Sequence, residues 1–205
     1  MQLLGFSRLA FFLKFLNADK TIYGRFGTRS HRTEWFGDVS LKGLAAAMQG
    51  ALQLHANYPA NAASLVAKRG PKPNVASPEL YPSLKGKFTD SLNYADNNVV
   101  KSCIHCHQIG DAERDMYRAS RKPLPETLLF PYPHPKAIGL IIDPDSRATV
   151  KEVQADAPAA SAGLKSGDVI KSLNDQPLLS IADILWILHQ TPATGGEIAA
   201  AWRKR

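Results

Sequence analysis

The sequence predicts an α+β protein made of three consecutive parts. Apolar and aromatic residues flank a polar turn near the N-terminus, a proline-rich stretch without periodicity follows, and short strands with one apolar helix fill the last third. We place the three parts at residues 1–58, 59–135 and 136–205. With 205 residues, of which 44% are hydrophobic, the chain is long enough and apolar enough to bury more than one core.

The first part predicts a β-hairpin followed by a helix. Residues 9–16 have the pattern of a buried strand, residues 17–20 that of a turn, and residues 21–27 that of the returning strand. Residues 38–40 offer an N-terminal cap, and apolar residues then recur at helical spacing until a Tyr-Pro pair ends the helix. We expect Met48 and the leucines of this helix to be core residues.

This order of elements resembles the C-terminal half of a thioredoxin-like domain. Residues 12–27 carry the resemblance, with a strand, an Asn/Asp turn and a second strand that ends in glycine. The resemblance implies a partial thioredoxin-like unit. The first strand, the redox helix and its C-x-x-C are absent from this region, so the unit cannot perform thioredoxin chemistry by itself.

The opening segment has the features of neither a membrane span nor a signal peptide. Residues 1–16 are apolar, but Arg8 and Lys14 interrupt them and no small-residue cleavage site follows. The segment is also too short and too charged to cross a bilayer. We therefore expect a strand that leads into the fold, and no membrane span.

The formal net charge of +7 does not by itself predict a nucleic-acid partner. The excess of basic residues lies before residue 136, and its densest cluster is Arg25, Arg29 and Arg32 beside His31. Such a cluster could face phosphate, but it lacks a known nucleic-acid motif and regularly spaced aromatic residues for stacking. We expect a solvated basic face and no nucleic-acid partner.

The middle part predicts a loop-rich connector and an interrupted helix. Prolines and glycines punctuate residues 58–98. A helix should then carry the two cysteines, weaken at Gly110, restart directly after it and run to Lys122. Residues 124–135, here called the strap, hold alternating prolines and aromatic residues, which predicts a stiff extended segment. The strap is either a rigid linker or a cover that packs its rings over a flat cofactor and brings His134 towards a metal.

Both cysteines of the chain lie in the pattern C-x-x-C-H, at Cys103, Cys106 and His107. This spacing is typical of haem c attachment, in which two thiols add to the haem vinyl groups and the histidine binds iron. If the stretch is helical, the three side chains project from one face. The sequence does not decide the sixth iron ligand: Met48, His31, His55 and His134 are candidates, and an open or water-bound sixth position is equally allowed.

Two other interpretations of the cysteines remain. The pair can be a redox-active dithiol, or half of a zinc site completed by histidines such as His105, His107 or His134. Haem c attachment and stable disulfides both belong outside the cytoplasm. We therefore expect an extracytoplasmic or periplasmic protein.

The last part predicts short strands and two helices. Ser180 should cap the longer helix, whose apolar residues recur at helical spacing. The other expected elements are a strand within residues 138–142, a strand at 148–153, a small helix at 156–164, a turn and a strand closed by a tight hairpin bend at 165–178, and a closing strand at 197–202.

Residues 157–170, followed by Leu173-Asn174, resemble a PDZ domain of the bacterial type found in high-temperature-requirement serine proteases. Such a domain binds a peptide C-terminus, which adds as a strand to a sheet edge while loop amides receive its carboxylate. The resemblance implies a peptide site formed by Ile138, Gly139, Leu140, Ile141, Leu185 and His189. Because the interval after the first strand is short, the groove is either shallow or already filled by a segment of the chain itself.

Three functional hypotheses follow. The leading one is an extracytoplasmic protein that binds a partner's C-terminal peptide and carries covalent haem c for redox sensing or electron transfer. The second is a thiol–disulfide protein in which Cys103 is the nucleophile and Cys106 resolves the mixed disulfide. The third is a protein-interaction scaffold without catalytic activity. The sequence contains no Gly-x-Ser-x-Gly or comparable nucleophile motif, so we do not expect hydrolysis.

Overall fold

An antiparallel hairpin opens the part of the chain that the structure describes. Strand β1 (Phe11–Leu16) pairs with strand β2 (Ile22–Thr28), so the predicted hairpin is confirmed. The predicted strand also included Leu9 and Ala10, which lie outside the described residues. In this computed structural model the described residues are 11–28, 37–88, 91–95, 99, 102–192 and 194–204.

Helix α1 (Leu41–Ala56) lies against β2. Its predicted cap is confirmed, because the Ser40 hydroxyl accepts a hydrogen bond from the Gly43 amide at 2.9 Å. The expectation that its large apolar residues form the core is wrong for Leu41, Met48 and Leu52, which are 86%, 52% and 69% exposed. The buried positions of α1 are all small: Gly43, Ala47, Gly50 and Ala51.

Close approach of neighbouring groups explains this choice of small residues. A Cβ atom at Gly43 would overlap the carbonyl oxygen of Pro144, and one at Gly50 would lie 2.7 Å from Nη1 of Arg147. Even alanine would therefore require the Pro144 backbone to move at Gly43, and the side chains of Arg147 and Leu179 to move at Gly50. Leu41, Met48 and Leu52 therefore point to solvent. Leu44 and Leu54 are half-buried and pack against the core that includes Tyr23 and Phe26.

The connector contains short 3₁₀ helices (Ala62–Lys68 and Pro78–Leu80), helix α2 (Cys106–Ala119) and helix α3 (Glu126–Leu129). The predicted interruption of α2 is wrong: the helix passes through Gly110 and ends before Lys122. The strap is not extended throughout, since α3 occupies its first half. No helix in the described ranges is both long enough and apolar enough to cross a membrane.

The described residues of the last part form two small antiparallel sheets. In one, β3 (Leu140–Ile142) pairs with β4 (Val150–Val153). In the other, β5 (Val169–Leu173) lies between β6 (Gln176–Pro177) and β7 (Ala200–Arg203). An isolated bridge from Thr149 to Val169 links the two sheets. The helices of this part are a 3₁₀ helix (Pro135–Ile138), α4 (Pro158–Ser161) and α5 (Ile181–Gln190).

Two hydrophobic cores meet at α5. The core of the last part packs Leu140, Val150 and Ile170 around Ile184 of that helix. The N-terminal core contains residues of β2 and α1, yet it also includes Leu179, which directly precedes α5. The described residues of the first part, here called the hairpin unit (11–28 and 37–58), are therefore in direct contact with the last part along α5.

Candidate functional site

The predicted peptide-binding strand begins at a glycine that no other residue can replace without strain. Gly139 has a φ of 77°, and a Cβ atom there would overlap that of Ala157. The next residues form β3, in which Leu140 and Ile142 are 1% and 3% exposed and Ile141 is half-buried on the opposite face. The strand thus turns two side chains into the core and one away from it.

One edge of β3 has no strand partner among the described residues. On the other edge, the Gly139 carbonyl accepts the Gln154 amide at 2.9 Å, and the Asp143 amide donates to the Thr149 carbonyl at 2.8 Å. Backbone groups alternate along a strand. The amides and carbonyls of the intervening even-numbered residues, 140 and 142, therefore face the edge away from β4.

The predicted carboxylate loop is closed on itself. The Gly139 amide donates to the Lys136 carbonyl at 3.0 Å, and the Ala137 amide donates to the His134 carbonyl at 2.8 Å. The Lys136 amide donates to Nδ1 of His134 at 3.2 Å. The amides of Lys136, Ala137 and Gly139 therefore already have acceptors in His134 and Lys136, which a peptide carboxylate would have to replace.

The predicted helical wall of the groove contacts the strap. Leu185 is 0% exposed. The ring of Tyr132 stacks on that of His189, with centroids 4.2 Å apart and planes at 23°, and the Tyr132 amide donates to Nδ1 of His189 at 3.3 Å. The centroid of the Tyr132 ring also lies 6.4 Å from that of the Trp186 ring. This ring of the strap therefore packs on α5.

Both ring nitrogens of His134 have partners. Nδ1 accepts the Lys136 amide, and Nε2 lies 3.3 Å from Oδ2 of Asp38. The same carboxylate oxygen accepts the Thr28 hydroxyl at 2.8 Å. This pattern assigns the neutral tautomer with hydrogen on Nε2, so His134 is occupied here and is not positioned as a sixth iron ligand.

Three buried charges, here called the ion cluster, join the hairpin unit to α5, and sequence reasoning did not find them. The cluster consists of Arg25 on β2, Lys68 at the end of the 3₁₀ helix Ala62–Lys68, and Asp183 on α5. Nζ of Lys68 lies 3.0 Å from Oδ1 of Asp183, and Nη1 of Arg25 lies 3.6 Å from the same oxygen. The Arg25 guanidinium also lies 4.1 Å above the Trp186 ring.

The ion cluster overturns the expectation of a solvated basic face at Arg25, which is only 5% exposed. The other members of that predicted cluster, Arg29, His31 and Arg32, lie outside the described residues. Burial lowers the pKa values of Arg25 and Lys68, and the negative charge of Asp183 opposes both shifts. One sequence signal was present: Asp183 interrupts an otherwise apolar helix.

The C-x-x-C-H motif is only partly helical. Because α2 begins at Cys106, Cys103 lies in a bend before the helix, and the expected shared helical face does not form. Cys103 is half-buried with a free thiol, whereas His107 is exposed. The His105 and His107 rings lie nearly parallel, 5.7 Å apart. The side chain of Cys106 is outside the described part of the structure.

The remaining candidate ligands also have other surroundings. Met48 is exposed on α1, and Nδ1 of His55 lies 2.8 Å from the Tyr23 hydroxyl. Among the described side chains, no group of three or more His, Cys, Asp or Glu residues could hold a metal ion. The zinc interpretation therefore finds no ligand set in that part of the chain.

Comparison with known proteins agrees with the architecture of the last part. Residues 149–194 match the family profile described as PDZ domain. The chain is 45% identical over 49 residues to the periplasmic serine endoprotease DegP of Salmonella typhimurium, covering 24% of this chain and 10% of that protein. It is 52% identical over 48 residues to the serine protease Do-like HtrB of Bacillus subtilis, covering 23% and 10%. No solved structure matches the chain.

The C-terminal part is therefore a PDZ domain resembling those of these two serine proteases, and it indicates peptide or protein binding. The chain spans only about a tenth of the length of the relatives it matches.

Proposed function

We propose that this chain binds the C-terminal segment of a partner protein, which adds as a strand to β3. The observation that carries the proposal is the edge of β3 that faces away from β4, where the backbone groups of Leu140 and Ile142 point outwards next to the left-handed Gly139. An extended peptide satisfies such an edge with main-chain hydrogen bonds.

The role of each part of the site follows from this geometry. Peptide amides and carbonyls would pair with those of Leu140 and Ile142. The terminal carboxylate would take over the amides around Ile138 and Gly139, which first have to leave their acceptors in the 3₁₀ helix. Peptide side chains that alternate along the strand would meet Ile141 on one side and α5 on the other.

A peptide library with free C-termini, applied to the full chain, tests the proposal. We expect saturable binding that disappears when the carboxylate of the selected peptide is amidated. N-methylation of the peptide amides that pair with β3 should abolish binding as well, whereas N-methylation of the alternate amides should not. Binding that is indifferent to both changes would show that strand addition is wrong.

We further propose that Cys103 and Cys106 attach haem c, with His107 as an iron ligand. The support is the chemistry of the donor set, two thiols and an exposed imidazole within five residues, with Cys103 placed before α2 and His107 on it. When bound, haem would supply one-electron redox chemistry. The alternative is a thiol–disulfide pair made of the same cysteines. Both alternatives imply an extracytoplasmic location.

Expression with cytochrome c maturation machinery separates these alternatives. Haem attachment predicts a Soret band and a mass increase of one haem, both lost in Cys103→Ser. A dithiol instead predicts two alkylatable thiols after reduction and none after oxidation. A chain that gains neither haem nor a reversible disulfide contradicts both and leaves the scaffold hypothesis.

A further inference from the structure

The helix that should form one wall of the peptide groove is covered. All residues from Ile181 to Leu188 are buried, and the predicted wall residue Leu185 is 0% exposed. A wall that receives peptide side chains needs an accessible face. On α5 such access begins only at His189, which is half-buried, and at the exposed Gln190.

The first element that covers α5 is the N-terminal hairpin with the 3₁₀ helix after α1. The ion cluster lies between them and the helix. The Trp186 indole donates to the Ala67 carbonyl at 3.0 Å, and the Ser180 hydroxyl donates to the Arg25 carbonyl at 2.7 Å. These contacts are buried or partly buried, so this side of the cover is firmly attached.

The second element is the strap. Tyr132 stacks on His189, and two residues later His134 contacts Asp38 of the hairpin unit. The strap then runs directly into the 3₁₀ helix that closes the loop amides. Tyr132, His134 and His189 are only half-buried, in contrast to the ion cluster. The strap is therefore the more easily released side of the cover.

The backbone at Tyr132 supports this assignment. Its φ is 55°, a left-handed conformation that a bulky residue seldom adopts. Such a conformation persists only while its surroundings hold it. Loss of the stack on His189 would therefore let the strap relax, and with it the loop that precedes β3.

We propose that the strap, backed by the hairpin unit, is a built-in cover of the PDZ groove, and that a peptide binds tightly only after Tyr132 leaves His189. This inference rests on the proposed peptide binding. It assigns regulation to the same site: a partner that engages the strap or the hairpin unit would raise the affinity for the peptide, because it would increase the open fraction.

Two variants of the full chain test the cover. Tyr132→Gly removes the ring and tolerates the left-handed φ. His134→Ala removes the contact with Asp38 and the side-chain acceptor of the Lys136 amide, while leaving Tyr132 in place. The control is Tyr94→Ala, because Tyr94 is 76% exposed. The probe is the free-carboxylate peptide selected from the library, measured by fluorescence anisotropy, and hydrogen exchange follows the amides of residues 130–142.

We expect at least about tenfold tighter peptide binding for Tyr132→Gly, a smaller gain for His134→Ala, faster exchange in the strap and loop of both, and no change in the control. Should Tyr132→Gly fail to fold, as judged by thermal unfolding, His134→Ala carries the same comparison.

Equal affinity of wild type and variants would overturn the cover and leave peptide binding intact. Weaker binding by the variants would also overturn it, because the strap would then be part of the site. If exchange shows that the strap opens but no peptide binds to any form, the cover and the proposed function both fail. Unchanged exchange in both variants would show that these contacts do not hold the strap.

Discussion

Asp183 is the residue on which the contact between the two cores depends most. One of its oxygens lies beside both Lys68 and Arg25, and the other accepts the Leu179 amide at 2.9 Å. Burial of three charges with one negative member leaves a net positive cluster. Removal of the shared carboxylate would leave two buried cations without a counter-charge, which is strongly unfavourable in an apolar interior.

We expect Asp183→Asn to lower the free energy of unfolding by about 3–5 kcal/mol, measured by urea denaturation. Lys68→Met is the matched control, because it also removes one buried charge but leaves the Arg25–Asp183 pair balanced. The control should be neutral or stabilising. If Lys68→Met is as destabilising as Asp183→Asn, the ion cluster does not act through charge balance.

A second residue, Tyr81, makes stability depend on pH. Burial, and then the hydrogen bond to Glu113, raises its pKa from 10.0 to about 12. The unfolded chain loses the phenol proton near the lower value and the folded chain near the higher one. The folded state therefore binds more protons in this window, and its stability falls as pH rises through it.

We expect the wild type to lose up to about 2 kcal/mol between roughly pH 10 and 12 relative to Tyr81→Phe, whose phenol is absent. At neutral pH the variant should be less stable by about 1 kcal/mol, because the hydrogen bond to Glu113 is lost. Urea denaturation at several pH values measures both. Tyr94→Phe, at an exposed position, should behave like the wild type; a parallel pH dependence of wild type and Tyr81→Phe would contradict the assignment.

At the scale of elements, Gly43 of α1 and Gly110 of α2 lie in opposite surroundings. A Cβ atom at Gly43 of α1 would overlap the Pro144 carbonyl oxygen, which belongs to the backbone. At Gly110 of α2 the nearest atom is Nη1 of Arg114, 3.4 Å away at the end of a flexible side chain. The same substitution should therefore have opposite effects on the two helices.

We expect Gly43→Ala to destabilise the protein by about 1–3 kcal/mol, because overpacking outweighs the gain in helix propensity. Gly110→Ala should stabilise it by roughly 0.5–1 kcal/mol, because α2 has room for the methyl group. Thermal and urea unfolding compare the two. A stabilising Gly43→Ala would show that α1 does not pack closely on the loop after β3.

Elements governed by local signals could be predicted from the sequence. The turn at residues 17–20 and the Ser40 cap are formed by neighbouring residues, so their patterns suffice. The buried face of α1 could not be predicted, because it is selected by Pro144 and Arg147, which lie far along the chain. The predicted interruption at Gly110 was wrong because it rested on local propensity alone, which disfavours glycine in a helix. In the structure α2 continues through this position.

At the scale of the whole molecule, the PDZ helix α5 lies where the two cores meet. Its inner face packs in the PDZ core, and Leu179 before it packs in the N-terminal core. Sequence patterns could predict the short strand that follows Gly139, because its residues are contiguous. They could not locate the ion cluster or the Tyr132–His189 stack, since these join side chains from separate parts of the chain.

We expect the chain to unfold in a single transition, because neither core is complete without the residues around α5. Far-UV circular dichroism and tryptophan fluorescence should give the same urea midpoint. In Asp183→Asn the two midpoints should separate, since the contact between the cores is weakened. Separate transitions already in the wild type would show that the hairpin unit and the PDZ domain fold independently.

The size pattern of α1 has a consequence for sequence variation among homologues. Leu41, Met48 and Leu52 occupy its outer face, where substitution removes little buried area, and glycine and alanine occupy the face that meets β2 and the Pro144 loop. In related chains that keep this packing, we expect these three large apolar positions of α1 to drift freely. The small positions should be nearly invariant, the reverse of what a hydropathy profile would suggest.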